Sequence, residues 1–294
     1  MTPIPWTDLV GQRLDAVPFL INPYIPAGGI ILLYGKTRVG KSPLTWEMAR
    51  CIGSGEPFFG CPTQQGRVLI LELDTPQRLV QPRITQLDPA PNVWWEFMGP
   101  CHLPTNALIQ KQLRVLEDDL HPDLVIVNTL RKIHQGDEKD GALPSRIYGI
   151  FRAIFPQAAT LFVHHDKKTH PDPESASDPD EAFSGHLAWL NDCQVGLHLM
   201  RASPSREEGR LKLVHTKSQV SAEALPLLLQ LDQGGSRLIE YVSEQARKVI
   251  NAYYALPETM PKTERVRIIS LQVGLGERQV WTYLSRLPEG PRGG

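Results

Sequence analysis

The sequence predicts an α/β protein with a mainly parallel central sheet, antiparallel strands at one edge and a small helical domain at the C-terminal end. Short apolar runs rich in β-branched residues recur along the chain, and stretches with helical spacing separate them. Strands that alternate with helices join into a parallel sheet through right-handed crossovers. Beyond residue 194 the apolar runs follow one another too closely for long helices between them, which predicts the antiparallel edge.

Each predicted strand is a run of apolar residues bounded by glycine, proline or polar residues. The strands are predicted at 30–34, 66–74, 124–129, 159–165, 194–200, 210–215 and 227–231. The helices among them are predicted at 44–52, 77–86, 107–119 and 144–155. Continuous apolar runs of this kind are typical of strands that are buried on both faces of a parallel sheet.

A glycine-rich loop with the spacing G-x-x-x-x-G-K-S follows the first of these strands and leads into a helix. Its residues are Gly35, Lys36, Thr37, Arg38, Val39, Gly40, Lys41 and Ser42, with Pro43 in the first helical turn. Glycines let backbone N–H groups approach phosphate oxygens, and the helix N-terminus adds a partial positive charge. We expect Lys41 to reach the β- and γ-phosphates of ATP and Ser42 to bind Mg²⁺.

The composition is that of an ordinary globular protein and excludes several classes. Of the 294 residues 41% are hydrophobic and 21% charged, and the net charge is −1, so the whole molecule is not a general polyanion binder. The four cysteines are scattered, which favours neither a disulfide framework nor a zinc site. Without an apolar run of membrane-spanning length or a secretory leader, we expect a cytoplasmic protein.

Several short segments, taken in order, resemble the RecA-like ATPases of the DnaB and RepA helicase type, including the RepA-like ATPases of plasmids and mobile elements. The resemblance covers roughly residues 19–232. The segments are 25–29 before the glycine loop, 55–60 after the first helix, and then 68–76, 121–130, 163–165, 183–186 and 215–219. Each segment is weak evidence alone, and the order in which they occur carries the resemblance.

The resemblance implies a catalytic site with altered residues. Asp74 stands where the family has a general-base glutamate, and Glu72, two residues earlier on the same strand face, is a possible substitute. Asn128 stands where an aspartate would hold Mg²⁺ together with Ser42, and an amide binds a hard cation more weakly than a carboxylate. His165 is expected to sense the γ-phosphate, whereas His164 is expected to be structural.

The same resemblance implies that the segment 215–219 reaches the nucleotide of a neighbouring subunit. Gln219 stands where the family often presents an arginine finger, and Lys217 is the nearby cation. Loss of a finger arginine can slow turnover by about 10³-fold or more. We therefore expect ATP binding with slow or conditional hydrolysis, in a homo-oligomer that is most simply a hexameric ring.

Two loops beyond strand ends, 131–141 and 166–181, would line a central channel for single-stranded DNA in this family. The candidates for contact with the DNA backbone are Arg131, Lys132, Lys167 and Lys168. Acidic residues in the same loops offset these bases, so ordinary solvated loops are the alternative interpretation.

The chain beyond residue 244 carries eight basic and four acidic residues from position 245 onward. Helices predicted at 244–254, 262–271 and 277–287, with a glycine turn at 273–276, resemble a helix-turn-helix or winged-helix module that could bind duplex DNA. Arg278, Gln279 and Thr282 would lie on its recognition helix. A helical bundle that contacts a protein is the alternative. The domains are predicted at 1–233 and 244–294, with 234–243 as a linker.

Two functions remain open at this point. One is a DNA-dependent ATPase, a helicase-type motor in the replication or maintenance of a plasmid or mobile element, working with a replication partner protein. The other is an ATP-binding regulatory or DNA-recruitment protein whose assembly, not turnover, is its output. Asn128 and Gln219 favour the second, whereas Lys41, Asp74 and His165 favour the first.

Overall fold

A computed structural model describes most of the chain. The described residues are 3–12, 16–134, 140–165, 187–202, 209–224, 226–232, 234–241, 244–257 and 259–284. Within these ranges a nine-stranded sheet forms the centre of the molecule, and a two-stranded ribbon lies beside it. No helix in the described part of the chain combines the length and the apolar character that are needed to cross a membrane.

The strands alternate with helices along the chain as the sequence predicts. The strands are β1 (Phe19–Ile21), β2 (Ile25–Pro26), β3 (Ile30–Tyr34), β4 (Val68–Glu72), β5 (Val93–Phe97), β6 (Leu124–Asn128), β7 (Ala159–Val163), β8 (Val195–Arg201), β9 (Arg210–Ser218), β10 (Leu227–Leu231) and β11 (Leu238–Glu240). The helices are α1 (Trp6–Gly11), α2 (Lys41–Ser54), α3 (Gln77–Ile84), α4 (Ala107–Leu120), α5 (Leu143–Ile154), α6 (Ala188–Asn191), α7 (Glu244–Ala255), α8 (Lys262–Val273) and α9 (Glu277–Leu284).

The central sheet has the order β11-β10-β9-β8-β3-β7-β6-β4-β5. The pairs from β8 through β3 to β5 are parallel, and β9, β10 and β11 continue the sheet in antiparallel fashion. This arrangement confirms the predicted fold class, which is a mostly parallel sheet with antiparallel strands at one edge.

The register of the parallel strands places their carboxyl ends side by side. Glu72 at the end of β4 pairs with Asn128 at the end of β6, and Asn128 pairs with Val163 at the end of β7. Leu33 of β3 pairs with the same Val163. The segments that follow these strands therefore meet at one edge of the sheet, where ligands bind in open parallel sheets.

Two apolar clusters hold the sheet between its helices. Every residue of β3, β4, β6 and β7 is buried, because helices cover both faces. One cluster packs β3 and β4 against α2, and the other packs the opposite face against α4 and α5. Asn106 begins α4 by accepting a hydrogen bond from the Ile109 N–H at 3.2 Å.

The structure adds strands that the sequence pattern does not predict. The segment 93–97 pairs with β4 as the edge strand β5, and all five of its residues are half-buried. Residues 238–240, which fall in the segment predicted as a linker, pair with β10 as β11. The sheet therefore extends beyond residue 233, because β11 turns back on β10 and pairs with it from Leu231 and Leu238 onward.

Helices α7, α8 and α9 pack together around a small core. Val249, Val266, Ile269 and Val280 are its buried members. The turn between α8 and α9 begins at Gly274, whose φ of 69° is the left-handed conformation that favours glycine at a helix end. This is the predicted helix–turn–helix arrangement, with α9 described as far as residue 284. No strand follows α9 within the described residues, so they contain no wing.

Candidate nucleotide site

The phosphate loop connects β3 to α2 at the carboxyl edge of the sheet. Gly40 has a φ of 106° and directly precedes the helix, which makes glycine the suitable residue there. Gly35 lies so close to β8 that a Cβ atom would come within 2.3 Å of the Leu199 carbonyl oxygen. Val39 is buried and anchors the loop, whereas Lys36 and Thr37 point to the surface.

Lys41 lies at the centre of this loop. Its side chain is only 6% exposed, and its Nζ donates hydrogen bonds to the carbonyl oxygens of Gly35 at 2.6 Å and Lys36 at 2.9 Å. The same Nζ lies 3.3 Å from Nδ1 of His165. The loop backbone thus holds a positive charge where the phosphates of a nucleotide would be bound.

A cleft of about 330 Å³ opens next to the loop, and we call it the phosphate-loop cleft. It is lined by Thr37, Arg38, Gly40, Lys41, Ser42, Pro43, Asp74, Thr75, Arg83, Asn128, Thr129, Val163, His165, Leu231 and Gly235. Residues predicted from four separate strand ends therefore lie around one space. Two larger depressions lie elsewhere, at the sheet edge next to β5.

Asp74 follows β4 and lies exposed at the cleft. Its Oδ1 lies 3.4 Å from Nζ of Lys132, and both side chains are about 40% exposed. Lys132, predicted to contact DNA, is thus held next to the predicted general base. The sequence suggests no such pairing, because 58 positions separate the two residues.

Glu72 does not line the cleft. Its side chain is 1% exposed, and its Oε1 accepts hydrogen bonds from the N–H groups of Asp74 and Thr75 at 3.2 and 2.9 Å. Its Oε2 accepts a hydrogen bond from Nδ2 of Asn128 at 2.7 Å. Burial raises the pKa of this carboxyl group, and the hydrogen bond from Asn128 opposes that rise. Because both of its oxygens accept hydrogen bonds inside the protein, Glu72 holds Asn128 and the segment 74–75 in place and does not face the cleft.

The two histidines after β7 have different surroundings. His165 is half-buried, lines the cleft and faces Lys41, which is the placement expected of a group that contacts the terminal phosphate. His164 is 1% exposed and its ring lies against Trp189, with ring centroids 6.1 Å apart. The alternation of side chains along a strand accounts for the difference.

The donors around the cleft fit a magnesium ion that the nucleotide itself would largely coordinate. Ser42 and Asn128 both line the cleft. Because the Glu72 carboxylate binds Nδ2 of Asn128, the amide oxygen is the atom that remains to face the cleft. No group of three or more His, Cys, Asp or Glu among the described residues could hold a metal by itself. Mg²⁺ usually keeps waters and phosphate ligands, so this sparse donor set suits it.

Lys217 and Gln219 lie away from the phosphate-loop cleft of their own chain. The backbone N–H of Gln219 donates to Gln194, and the N–H of Gln194 donates to Ile30, the first residue of β3. Gln219 is therefore at the amino-terminal edge of the sheet, about 15 Å from the loop at the usual rise per residue. Nζ of Lys217 donates to the carbonyl oxygens of Leu190 and Asn191 at 3.0 and 2.6 Å.

Arg83 is a cleft residue that sequence reasoning missed. Its Nη2 donates to the Gly235 carbonyl oxygen at 3.1 Å, and its guanidinium lies 4.6 Å from the ring centre of Trp46. It brings the turn between β10 and β11 to the cleft that the phosphate loop borders. One sequence signal concerns Arg83: it follows the buried Val80 by one helical turn of α3. Its side chain is therefore expected on the same face of the helix as Val80.

The predicted DNA contacts belong to separate segments of the chain. Arg131 is exposed in the segment after β6, whereas Lys167 and Lys168 lie outside the described residues. On α9, Arg278 and Gln279 are exposed, and the Thr282 hydroxyl donates to the Arg278 carbonyl oxygen at 2.9 Å. The described candidates therefore lie in two segments of the chain, one after β6 and one on α9.

Comparison with solved structures identifies the type of fold. The ATPase domain of G40P aligns with a TM-score of 0.54 at 9% identity, over 73% of this chain and 85% of that one. The RadB recombinase aligns with a TM-score of 0.48 at 16% identity, over 73% of this chain and 91% of that one. No curated protein matches the sequence significantly. The fold is RecA-like. A model of the AAA domain matches residues 2–171, which is more than half of the chain, and the chain therefore belongs to the AAA domain family.

Proposed function

We propose that this protein is a DNA-dependent ATPase of the DnaB and RepA helicase type that acts in the replication or maintenance of a plasmid or mobile element. The observation that carries the proposal is the phosphate-loop cleft. It brings Lys41, Asp74, Asn128 and His165 together at the carboxyl edge of a mainly parallel sheet. Phosphoryl transfer needs positioning and charge stabilisation more than covalent chemistry, and this set supplies both.

Each residue has a distinct role in the proposed hydrolysis of ATP. Lys41 binds the terminal phosphates, and Asp74 orients the attacking water and accepts its proton. His165 contacts the γ-phosphate, and its 3.3 Å approach to Lys41 supports that placement. Ser42 and Asn128 hold Mg²⁺, which neutralises charge on the β- and γ-phosphates when it is bound.

The proposal includes a ring of subunits, with six copies as the simplest assembly. Lys217 and Gln219 lie too far from their own phosphate-loop cleft to act there. Their position at the other edge of the sheet supports a role at a neighbour's nucleotide. The protein would work in the cytoplasm and receive its DNA from a replication partner.

DNA contact is proposed at two places. Single-stranded DNA would lie along the loops that contain Arg131, Lys132, Lys167 and Lys168, in the channel of the ring. The exposed side chains of Arg278 and Gln279 on α9 support a second contact, to duplex DNA. Residues 244–294 would then be a separate helical domain, and the small core of α7, α8 and α9 supports that division.

One observation favours the alternative, an ATP-binding regulatory or DNA-recruitment protein. The Mg²⁺ position carries Asn128, a neutral residue, and the finger position carries Gln219. A site that binds ATP and hydrolyses it slowly would hold an assembly together for as long as ATP remains.

Steady-state phosphate release separates the two functions. Mg-ATP hydrolysis is measured with and without single-stranded DNA for the full chain, and Lys41→Ala is the inactive control. The motor function predicts turnover that DNA stimulates and that the control lacks. ATP binding without DNA-stimulated turnover would refute the motor and support the alternative. Size measurement in the presence of a non-hydrolysable ATP analogue tests the ring.

A further inference from the structure

Glu72 and Asn128 form a buried, hydrogen-bonded pair at the carboxyl ends of β4 and β6. The two residues are direct neighbours across β4 and β6, and both are nearly inaccessible, at 1% and 3% exposure. Their side chains are joined by a hydrogen bond of 2.7 Å. The strands are tied at the same level by a second hydrogen bond, from the Leu73 N–H to the Asn128 carbonyl oxygen at 2.7 Å.

The hydrogen-bond pattern fixes the orientation of the Asn128 amide. Three N–H groups surround the Glu72 carboxyl group, from Asp74, Thr75 and Asn128, so every partner is a donor. Burial raises the pKa of Glu72, and the hydrogen bonds from these three donors oppose that rise. The amide of Asn128 must then present its nitrogen to Glu72, and its oxygen is directed away, toward the phosphate-loop cleft.

We propose that Glu72 is a positioning residue for the magnesium site, which holds the Asn128 amide by its nitrogen so that the amide oxygen is offered to the cation. This inference rests on the proposed nucleotide function. Asn128 offers the cation an amide oxygen, and the negative charge lies one strand away, behind that amide. Loss of Glu72 therefore frees the Asn128 amide to turn and weakens the cation site, although Glu72 does not touch the cation.

The geometry predicts which substitutions the pair tolerates. Asn128→Asp alone places two acceptors 2.7 Å apart and removes the hydrogen bond. Glu72→Gln alone either sets its amide nitrogen against that of Asn128 or turns the Asn128 amide over, so that a nitrogen in place of an oxygen faces the cleft. The double exchange of Glu72→Gln with Asn128→Asp satisfies every group, since the new Gln oxygen accepts from Asp74 and Thr75 while its nitrogen donates to the new carboxylate.

The first test measures folding without any ligand. Unfolding by denaturant is compared for the native chain, each single variant and the double exchange, as a double-mutant cycle. Glu96→Gln is the matched control, because Glu96 lies on the adjacent edge strand β5 and makes no contact with Asn128 in the described hydrogen bonds. We expect Asn128→Asp to be destabilised, because two acceptors face each other, and the double exchange to recover about tenfold or more in the unfolding equilibrium constant. Additive effects would overturn the proposal.

The second test measures the cation site directly. Binding of a fluorescent ADP analogue to the full chain is titrated with free Mg²⁺. Glu72→Gln should weaken the Mg²⁺ dependence by about tenfold or more, and the double exchange should restore it, while Glu96→Gln should leave it unchanged. Full Mg²⁺ dependence in Glu72→Gln, or a tighter site in Asn128→Asp alone, would overturn the positioning role. Absence of nucleotide binding in the native chain would instead refute the proposed function, and the folding cycle would still test the pair.

Discussion

Replacement of Lys41 by methionine separates nucleotide binding from folding. The lysine ammonium is buried in the phosphate loop, where it donates to two carbonyl oxygens. An ammonium and a phosphate oxygen about 4 Å apart attract each other by about 4 kcal/mol at an effective dielectric constant of about 20. Loss of that attraction raises the dissociation constant for ATP by about three orders of magnitude.

The expected signal is a nucleotide-dependent shift of the melting temperature. A ligand at about 100 times its dissociation constant stabilises the folded state by about 2.7 kcal/mol. The unfolding entropy is about 2.1 cal/mol/K per residue, which gives about 0.6 kcal/mol/K for this chain and a shift of about 4 °C. In Lys41→Met the same nucleotide concentration is about a tenth of the new constant, and the shift falls to nearly zero.

Thermal melting of both proteins, with and without Mg-ATP, provides the assay. Lys36→Met is the control, because Lys36 is an exposed lysine of the same loop. Without nucleotide, Lys41→Met should melt within about 5 °C of the native chain, since the two unpaired carbonyl groups cost at most about 3 kcal/mol. A full nucleotide shift in Lys41→Met would refute the assignment of this lysine to the phosphates.

Three further substitutions test other parts of the structure. Gly35→Ala should lower nucleotide affinity and stability together, because the added Cβ would lie 2.3 Å from the Leu199 carbonyl oxygen. Calorimetry that finds both quantities unchanged would contradict the close packing of the phosphate loop against β8. Lys132→Met should change the free energy of unfolding by less than about 1 kcal/mol, since the ion pair with Asp74 is exposed. It should raise the rate of phosphate release without DNA and lower the stimulation of that rate by DNA. An equal loss of both rates would contradict a link between Lys132, Asp74 and DNA. Ile269→Ala should destabilise the C-terminal helices by about 2–5 kcal/mol, and proteolysis should then cut there while nucleotide binding persists, unless the helices and the sheet unfold as one unit.

Local patterns in the sequence predicted the elements that depend on local signals. The glycine loop, the buried strand before it and the helix after it were predicted because glycine spacing and apolar runs lie within a few residues of one another. The positions of Asp74 and His165 at the cleft follow from the rule that residues after parallel strands meet at one edge. The strand β5 is not predicted, since Glu96 interrupts its short apolar run and it lies half-buried at the sheet edge.

Contacts between distant parts of the chain were beyond the reach of these patterns. The ion pair between Asp74 and Lys132 joins segments after two different strands, and its existence depends on where each backbone turns. Arg83 reaches the cleft through a hydrogen bond to Gly235, which is 152 residues later. No periodicity or motif encodes such distances, because they arise from packing and sheet order.

The sequence by itself determined that this chain has a phosphate loop on a parallel sheet, because that motif needs only neighbouring residues of fixed type and spacing. The resemblance added the prediction that an amide, Asn128, stands where a carboxylate would hold Mg²⁺. Only the tertiary structure decided what that amide does. The register of β4 and β6 puts Glu72 directly beside Asn128, and a buried acceptor at that distance fixes the direction of the amide.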